Sequence, residues 1–257
     1  MKIDDDVLIR RFGNFSALGP EDEQRLRALA RENVRTKEAR RDLIRDGERP
    51  RAVYLILSGW AYRHKVIEDG RRQILQFLLP GDLCDIHNVV LRQMDHSIGA
   101  ITEVRYAEIS HQHLEEVEQA SRDLRHALWW HSATAMSVQR EWTVNIGQRN
   151  ALERLSHLFC ELFLRLQAVG LTNGQSCDMP VTQTDLGEAV GLTSVHINRT
   201  LRELRERGLI ILSNKRLTIP DFSALRKCAS FAADYLHLRY RKPPGSPPNS
   251  YTAKVTG

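Results

Sequence analysis

Apolar and polar positions change rhythm twice along the chain. From about Val34 to Ile109 the apolar residues come in short alternating runs such as Ala52-Val53-Tyr54-Leu55-Ile56-Leu57. Gly47, Gly59, Gly70 and Gly81 interrupt these runs about every dozen residues, a spacing that predicts an antiparallel roll or barrel. Asp69-Gly70 lies between two such runs, Ala61 to Ile67 and Gln73 to Leu78, and supplies the positive φ that a tight hairpin turn needs. Ahead of the roll, Pro20 to Asn33 has helical composition, with Leu26, Leu29 and Ala30 on one face.

The rhythm becomes helical near His111. Leu124, Leu128, His131, Ala135, Val138 and Trp142 alternate steps of four and three, the period that turns one stripe toward a partner helix, and Trp129, Ala133 and Met136 form a neighbouring stripe. A helix apolar on two adjacent faces suits a position between its own domain and a second subunit, so the first stripe is read as a dimer contact; packing under the roll is the alternative. Gly147 is expected to interrupt this helix. A second one follows over Arg149 to Val169, carrying Leu152, Leu155, Phe159, Leu162, Phe163 and Leu166, and Gly170 to Cys177 reads as a loop. Pro243-Pro244 and Pro247-Pro248 predict a disordered tail from Lys242.

The segment Val181 to Ile211 changes the picture most. Thr182 with Asp185 three residues on forms a capping-box pattern, and Leu186, Ala189 and Val190 then face inward. Gly191 permits a sharp left-handed turn, and Thr193 can cap a second helix. In that helix Ile197, Leu201 and Leu204 fix the buried side, leaving Ser194, Val195, His196, Asn198, Arg199 and Arg202 on the others. Two short helices at a fixed angle are the layout of a DNA-reading helix-turn-helix. Arg199 can bond two acceptors of a guanine; Ser194, His196 and Asn198 can reach base edges or phosphates, and Val195 a thymine methyl. A hairpin over Gly208 to Ile219 follows, and its turn carries Lys215 and Arg216 for phosphate.

Composition narrows the remaining choices. The 257 residues are 42% hydrophobic, enough for a packed core, and the formal charge of +5 is too diffuse to identify a partner by itself. Asp4-Asp5-Asp6 near the start, with no long apolar run, speaks against a signal peptide or a bilayer span, so a cytoplasmic location is expected. Cys84, Cys160, Cys177 and Cys228 include no C-x-x-C pair, so reduced thiols are expected and no metal site is assigned. Phosphate-cradling, nucleophile-elbow and zinc-protease motifs are absent, which argues against an enzyme.

From about Phe15 to Phe231 the sequence resembles the Crp/Fnr family of transcription regulators. The resemblance rests on Thr182 to Ile210, on Pro80-Gly81-Asp82, and on the order of roll, long helix and winged domain. It implies an α+β fold: an antiparallel cyclic-nucleotide-binding-like roll with an N-terminal helix over 1–120, a dimerisation helix over 121–147 and a winged helix-turn-helix over 148–231. The end of a C-terminal helix and the tail would occupy 232–257. It further implies a homodimer on a palindromic operator in double-stranded DNA, in contact with RNA polymerase. A sequence-indifferent architectural DNA binder is the alternative.

Departures from the family pattern bear on the signal. Where cyclic-AMP-binding members carry a Gly-Glu pair for the ribose and an Arg-Ser pair for the phosphate, this chain reads Asp85-Ile86 and His96-Ser97. Loss of the glutamate and the arginine predicts no tight cyclic-AMP binding. The ligand pocket is assigned to Asp85, Ile86, His87, His96 and Ser97. No cysteine precedes Cys84, so the N-terminal cluster of iron-sulfur oxygen sensors is missing. Of the motifs in the two branches, the recognition helix keeps only the final Arg199. Three signals stay open. Histidines among His87, His96, His111, His113, His126 and His131 are candidate haem or metal ligands, His111-Gln112-His113 if that segment is extended; ordinary surface or satisfied histidines are the favoured reading, because no carboxylate or cysteine partner stands at convincing spacing. Cys177, in the loop before the motif, is a candidate redox switch and equally a candidate bystander. The third is another small ligand, or none; no cofactor is assigned.

Overall fold

A computed structural model describes residues 6–15, 18–86 and 88–238. Two short helices, α1 (Val7–Phe12) and α2 (Pro20–Arg31), precede eight strands. These are β1 (Val34–Lys37), β2 (Asp42–Ile44), β3 (Val53–Ser58), β4 (Ala61–Val66), β5 (Arg72–Leu78), β6 (Leu83–Cys84), β7 (Ser97–Ala100) and β8 (Val104–Ile109). They form two antiparallel four-stranded sheets, β1-β8-β3-β6 and β2-β7-β4-β5, packed face to face as a roll. All of β3 but its last residue is buried; it is one of the two inner strands of its sheet.

The hairpin falls where the sequence places it, in a different form. β4 ends at Val66 and β5 starts at Arg72, and within the connection only Gly70 takes positive φ, at 84°. The turn is therefore a longer loop closed by Ile67 N–H to Arg71 O at 3.0 Å, rather than a two-residue turn.

Helices α3 (His111–Ala120), α4 (Arg122–Gln148) and α5 (Ala151–Ala168) follow. Gly147 lies inside α4, whose break comes two residues later. Asn150 there accepts the Glu153 N–H while the Glu153 carboxylate accepts from Asn150 N–H, a reciprocal cap that starts α5. His111 and His113 are in the first turn of α3, so the segment is helical and not extended.

The first stripe of α4 is spent inside the protomer. Leu124, Leu128, His131, Val138 and Trp142 are buried within the protomer, and Ala135 is half-buried. Leu124 and Leu128 pack under the roll, His131 Nε2 lies 3.1 Å from Leu83 O, and Trp142 meets Phe77 edge-on. The dimer assignment for this stripe is thereby corrected: apolar spacing registers burial without revealing which chain does the burying. Ala133 is exposed, as are Trp129 at 55% and Met136 at 62%.

The last elements are β9 (Thr172–Asn173), β10 (Ser176–Asp178), α6 (Gln183–Val190), α7 (Ser194–Glu206), β11 (Ile211–Ser213), β12 (Arg216–Thr218) and α8 (Phe222–Cys228). Their strands form one antiparallel sheet, β11-β12-β10-β9. Phe231 and Leu236 fold back into the core, where the Tyr235 hydroxyl donates to Glu161 at 2.9 Å. The tail expected from Lys242 lies outside the described residues.

One buried ionic cluster ties these parts together. Asp82, in the turn after Pro80-Gly81, accepts from Leu79 N–H at 2.8 Å and from Arg165 of α5 at 2.7 Å, with Arg11 of α1 at 3.3 Å. Arg165 also donates to Phe77 O at 2.9 Å and to Glu161 at 3.2 Å. Burial pushes the Asp82 carboxyl up, and Arg165 and Arg11 more than offset this, holding it below the usual carboxylate range. Removing one partner of such a buried pair leaves a charge uncompensated. Urea unfolding of R165M is expected to show a loss of about 3–5 kcal/mol. A midpoint equal to wild type would mean that the cluster does not hold the two halves.

Candidate nucleic-acid interface

The helix-turn-helix is built from local hydrogen bonds. Thr182 accepts the Asp185 N–H at 3.1 Å and gives its own N–H to Asp185 at 2.8 Å, so the capping box starts α6. Gly191, at φ 67°, ends it in the left-handed region, and Leu192 N–H returns to Gly187 O at 3.0 Å. Sequence reasoning passed over Gly187. A Cβ there would stand 2.6 Å from Leu192 O, so only glycine lets the turn lie this close to α6. A small residue in mid-helix before the turn was the available signal.

Thr193 caps α7, accepting from His196 N–H at 3.4 Å. Ile197, Leu201 and Leu204 are buried, with Thr200 beside them. The opposite side carries Ser194, Val195, His196, Asn198, Arg199 and Arg202, all exposed. Val195 is 74% exposed at the start of the helix. Arg199 has no ion pair or hydrogen bond with any described residue, whereas Arg202 pairs with Glu206 at 3.0 Å. Asn198 is turned back to Ser194 O at 3.1 Å. An anchored helix with an unpaired guanidinium and small polar groups on its free side has the chemistry to read base edges.

The wing is the hairpin β11–β12. Asn214 and Lys215 both take positive φ, 48° and 58°, between Ser213 and Arg216, the geometry of a two-residue turn that follows strand twist. Arg216 lies 3.7 Å from Asp178, and Lys215 is exposed without a partner among the described residues.

Long-range contacts, invisible in local pattern, fasten α6 to the roll. Arg40 donates to both oxygens of Asp185, at 2.7 and 3.0 Å. Arg72 of β5 donates to Glu188 at 2.7 Å and to the Tyr62 hydroxyl at 2.7 Å, and Gln73 donates to Glu188 O at 2.6 Å. Burial raises the Asp185 carboxyl, and Arg40 and Thr182 more than reverse it.

The other candidate residues separate. In the roll, Asp85 takes φ 52° and meets Arg63 at 3.3 Å and His96 at 3.2 Å; His96 also meets Asp95 at 2.7 Å. Arg63 donates to Gln76 as well. Burial lowers the His96 basicity, and Asp85 and Asp95 raise it above its ordinary value. Ile86 instead packs in the apolar cluster with Val53 and Leu55, and Ser97 accepts from Asp46 N–H at 2.9 Å. His87 lies outside the described residues.

His111 meets Asn88 at 2.8 Å, His113 meets Glu32, and the ring of His126 lies 5.8 Å from that of Trp129. Burial pushes His131 down to about 4, so it is neutral. Cys177 is placed in β10 and not in a loop. It is 1% exposed, and burial pushes its thiol up to about 12, which corrects its reading as an accessible redox switch.

A two-sheet roll joined through a long helix to a winged helix-turn-helix defines a class of DNA-binding regulators. The comparisons agree with that class. Residues 34–121 match the cyclic nucleotide-binding domain and residues 153–228 the Crp-like helix-turn-helix domain. The chain is 28% identical over 190 residues to the nitrogen fixation regulation protein FixK of Azorhizobium caulinodans, covering 74% of this chain and 76% of that one. It is 26% identical over 204 residues to the transcriptional activator protein FnrL of Cereibacter sphaeroides, covering 78% and 82%. The structure of FixK2 from Bradyrhizobium japonicum shares its fold with a TM-score of 0.68 at 22% identity, over 78% of this chain and 98% of that one. The chain belongs to the Crp/Fnr family and is a transcription regulator, not an enzyme. No described helix is long and apolar enough to cross a membrane.

Proposed function

We propose that the chain acts in the cytoplasm as a homodimer that binds a palindromic operator, with one α7 in each of two successive major grooves, and contacts RNA polymerase. The observation that carries this reading is the free, exposed Arg199 on a helix whose other side is locked by Ile197, Leu201 and Leu204. In this reading 1–120 senses, 121–147 dimerises and 148–231 reads DNA. Thr182, Thr193, Ser194, His196, Asn198 and Arg202 supply phosphate or base-edge contacts around Arg199, Val195 reaches a thymine methyl, and Lys215 and Arg216 serve phosphate. Polymerase contact follows from family membership.

The dimer contact is carried by Trp129, Ala133 and Met136, since the first stripe is spent inside the protomer. Large apolar side chains grouped on one exposed helix face mark a surface that another chain covers. The controlling signal is something other than cyclic AMP. His96, at the position of the phosphate-binding arginine, is already engaged by the Asp85 and Asp95 carboxylates, and Asp85 also holds Arg63.

Three measurements test these statements. R199A should lose about 1–3 kcal/mol at a palindromic site and little on random duplex. An equal loss on both would favour the architectural alternative and assign Arg199 to phosphate. M136K should sediment as a monomer where wild type sediments as a dimer, and an unchanged mass would move the interface elsewhere. Calorimetric titration with cyclic AMP should show no low-micromolar binding; a saturable isotherm in that range would refute the altered signal.

A further inference from the structure

Between the roll and the winged domain lies a cavity of about 530 Å³, within the size range of small-molecule sites. It shares no residue with the Arg63–Asp85–His96 network. Leu57 comes to it from β3, Trp60 from the β3–β4 connection, and Leu166 and Leu171 from α5 and the segment after it. Leu57, Trp60 and Leu166 are nearly fully buried, so the floor is apolar and one wall is an indole. Two cations stand at this cavity: Arg105 of β8 from the roll, and Lys215 from the wing turn. Neither side chain has an ion pair or hydrogen bond with any described residue. Asp178 is the lining carboxylate, 3.7 Å from Arg216.

We propose that this cavity binds a small organic anion with a flat apolar body and a single carboxylate. The body lies against Trp60 and the leucines, where burial of apolar area and ring stacking favour it. The carboxylate lies between Arg105 and Lys215, whose side chains pair with no carboxylate among the described residues off DNA and which form strong charge-assisted hydrogen bonds. Asp178 selects against a dianion such as a phosphate monoester, because a second negative charge would face a carboxylate. Each domain contributes one cation, so an occupied cavity favours whichever arrangement keeps Arg105 and Lys215 together. The site goes beyond the DNA-binding reading and is tested without DNA.

The test is calorimetric titration of the full-length protein with 1-naphthoate, beside its uncharged counterpart 1-naphthylmethanol. Expected is saturable binding of one 1-naphthoate per protomer, with the alcohol at least about tenfold weaker. R105Q and K215Q, which keep most of each side chain's packing, should each weaken binding by about tenfold. L171W, which narrows the cavity from one wall, should weaken it further. Circular dichroism confirms that the three variants remain folded. Absence of saturable binding to the wild type overturns the proposal. So does binding that R105Q, K215Q and L171W all leave unchanged, which would place the naphthalene on the exposed Trp129–Met136 face.

Discussion

Asp82 is the constraint on which the arrangement of this molecule depends. Its carboxylate, buried in a turn of the roll, faces Arg165 from the DNA-binding half and Arg11 from the N-terminal helix. Charges held this far from water are tolerated only while they stay paired, so α5 cannot leave the roll without stranding both signs. Glu161 extends the cluster, and burial raises its carboxyl above the usual range despite Arg165, Tyr235 and Trp142. The connection between the roll and the helix-turn-helix half is thus a packed ionic joint rather than a flexible linker.

The contacts farther out are of a different kind. Arg40 and Arg72 reach α6 across partly exposed surface, where ion pairs are weaker and salt screens them. The joint at α5 is therefore stiff and the attachment at α6 soft.

What could be read from the sequence was whatever repeats or caps locally. The Thr182–Asp185 cap, the Gly191 turn and the Ile197, Leu201, Leu204 triad each follow from spacing within a few residues, and the helix-turn-helix was legible for that reason. The α4 stripes were only half legible: period identifies buried positions, but Leu124 and Trp142 pack as well under a chain's own roll as against a partner. Cys177 read as loop because its strand is three residues long and paired to distant Leu217. Arg40 with Asp185, and Arg165 with Asp82, are separated by 145 and 83 residues, and nothing in the local pattern of either partner announces the other.

The Asp185 carboxylate serves two masters. One oxygen caps α6 through Thr182, and both oxygens receive Arg40 from the roll. Asparagine would preserve much of the cap and forfeit the guanidinium; glutamate would displace both by a methylene. Position 185 is therefore free to drift only together with position 40. Among descendants of this chain, a change at one should be followed by a compensating change at the other, an imprint of tertiary structure on the pattern of inheritance.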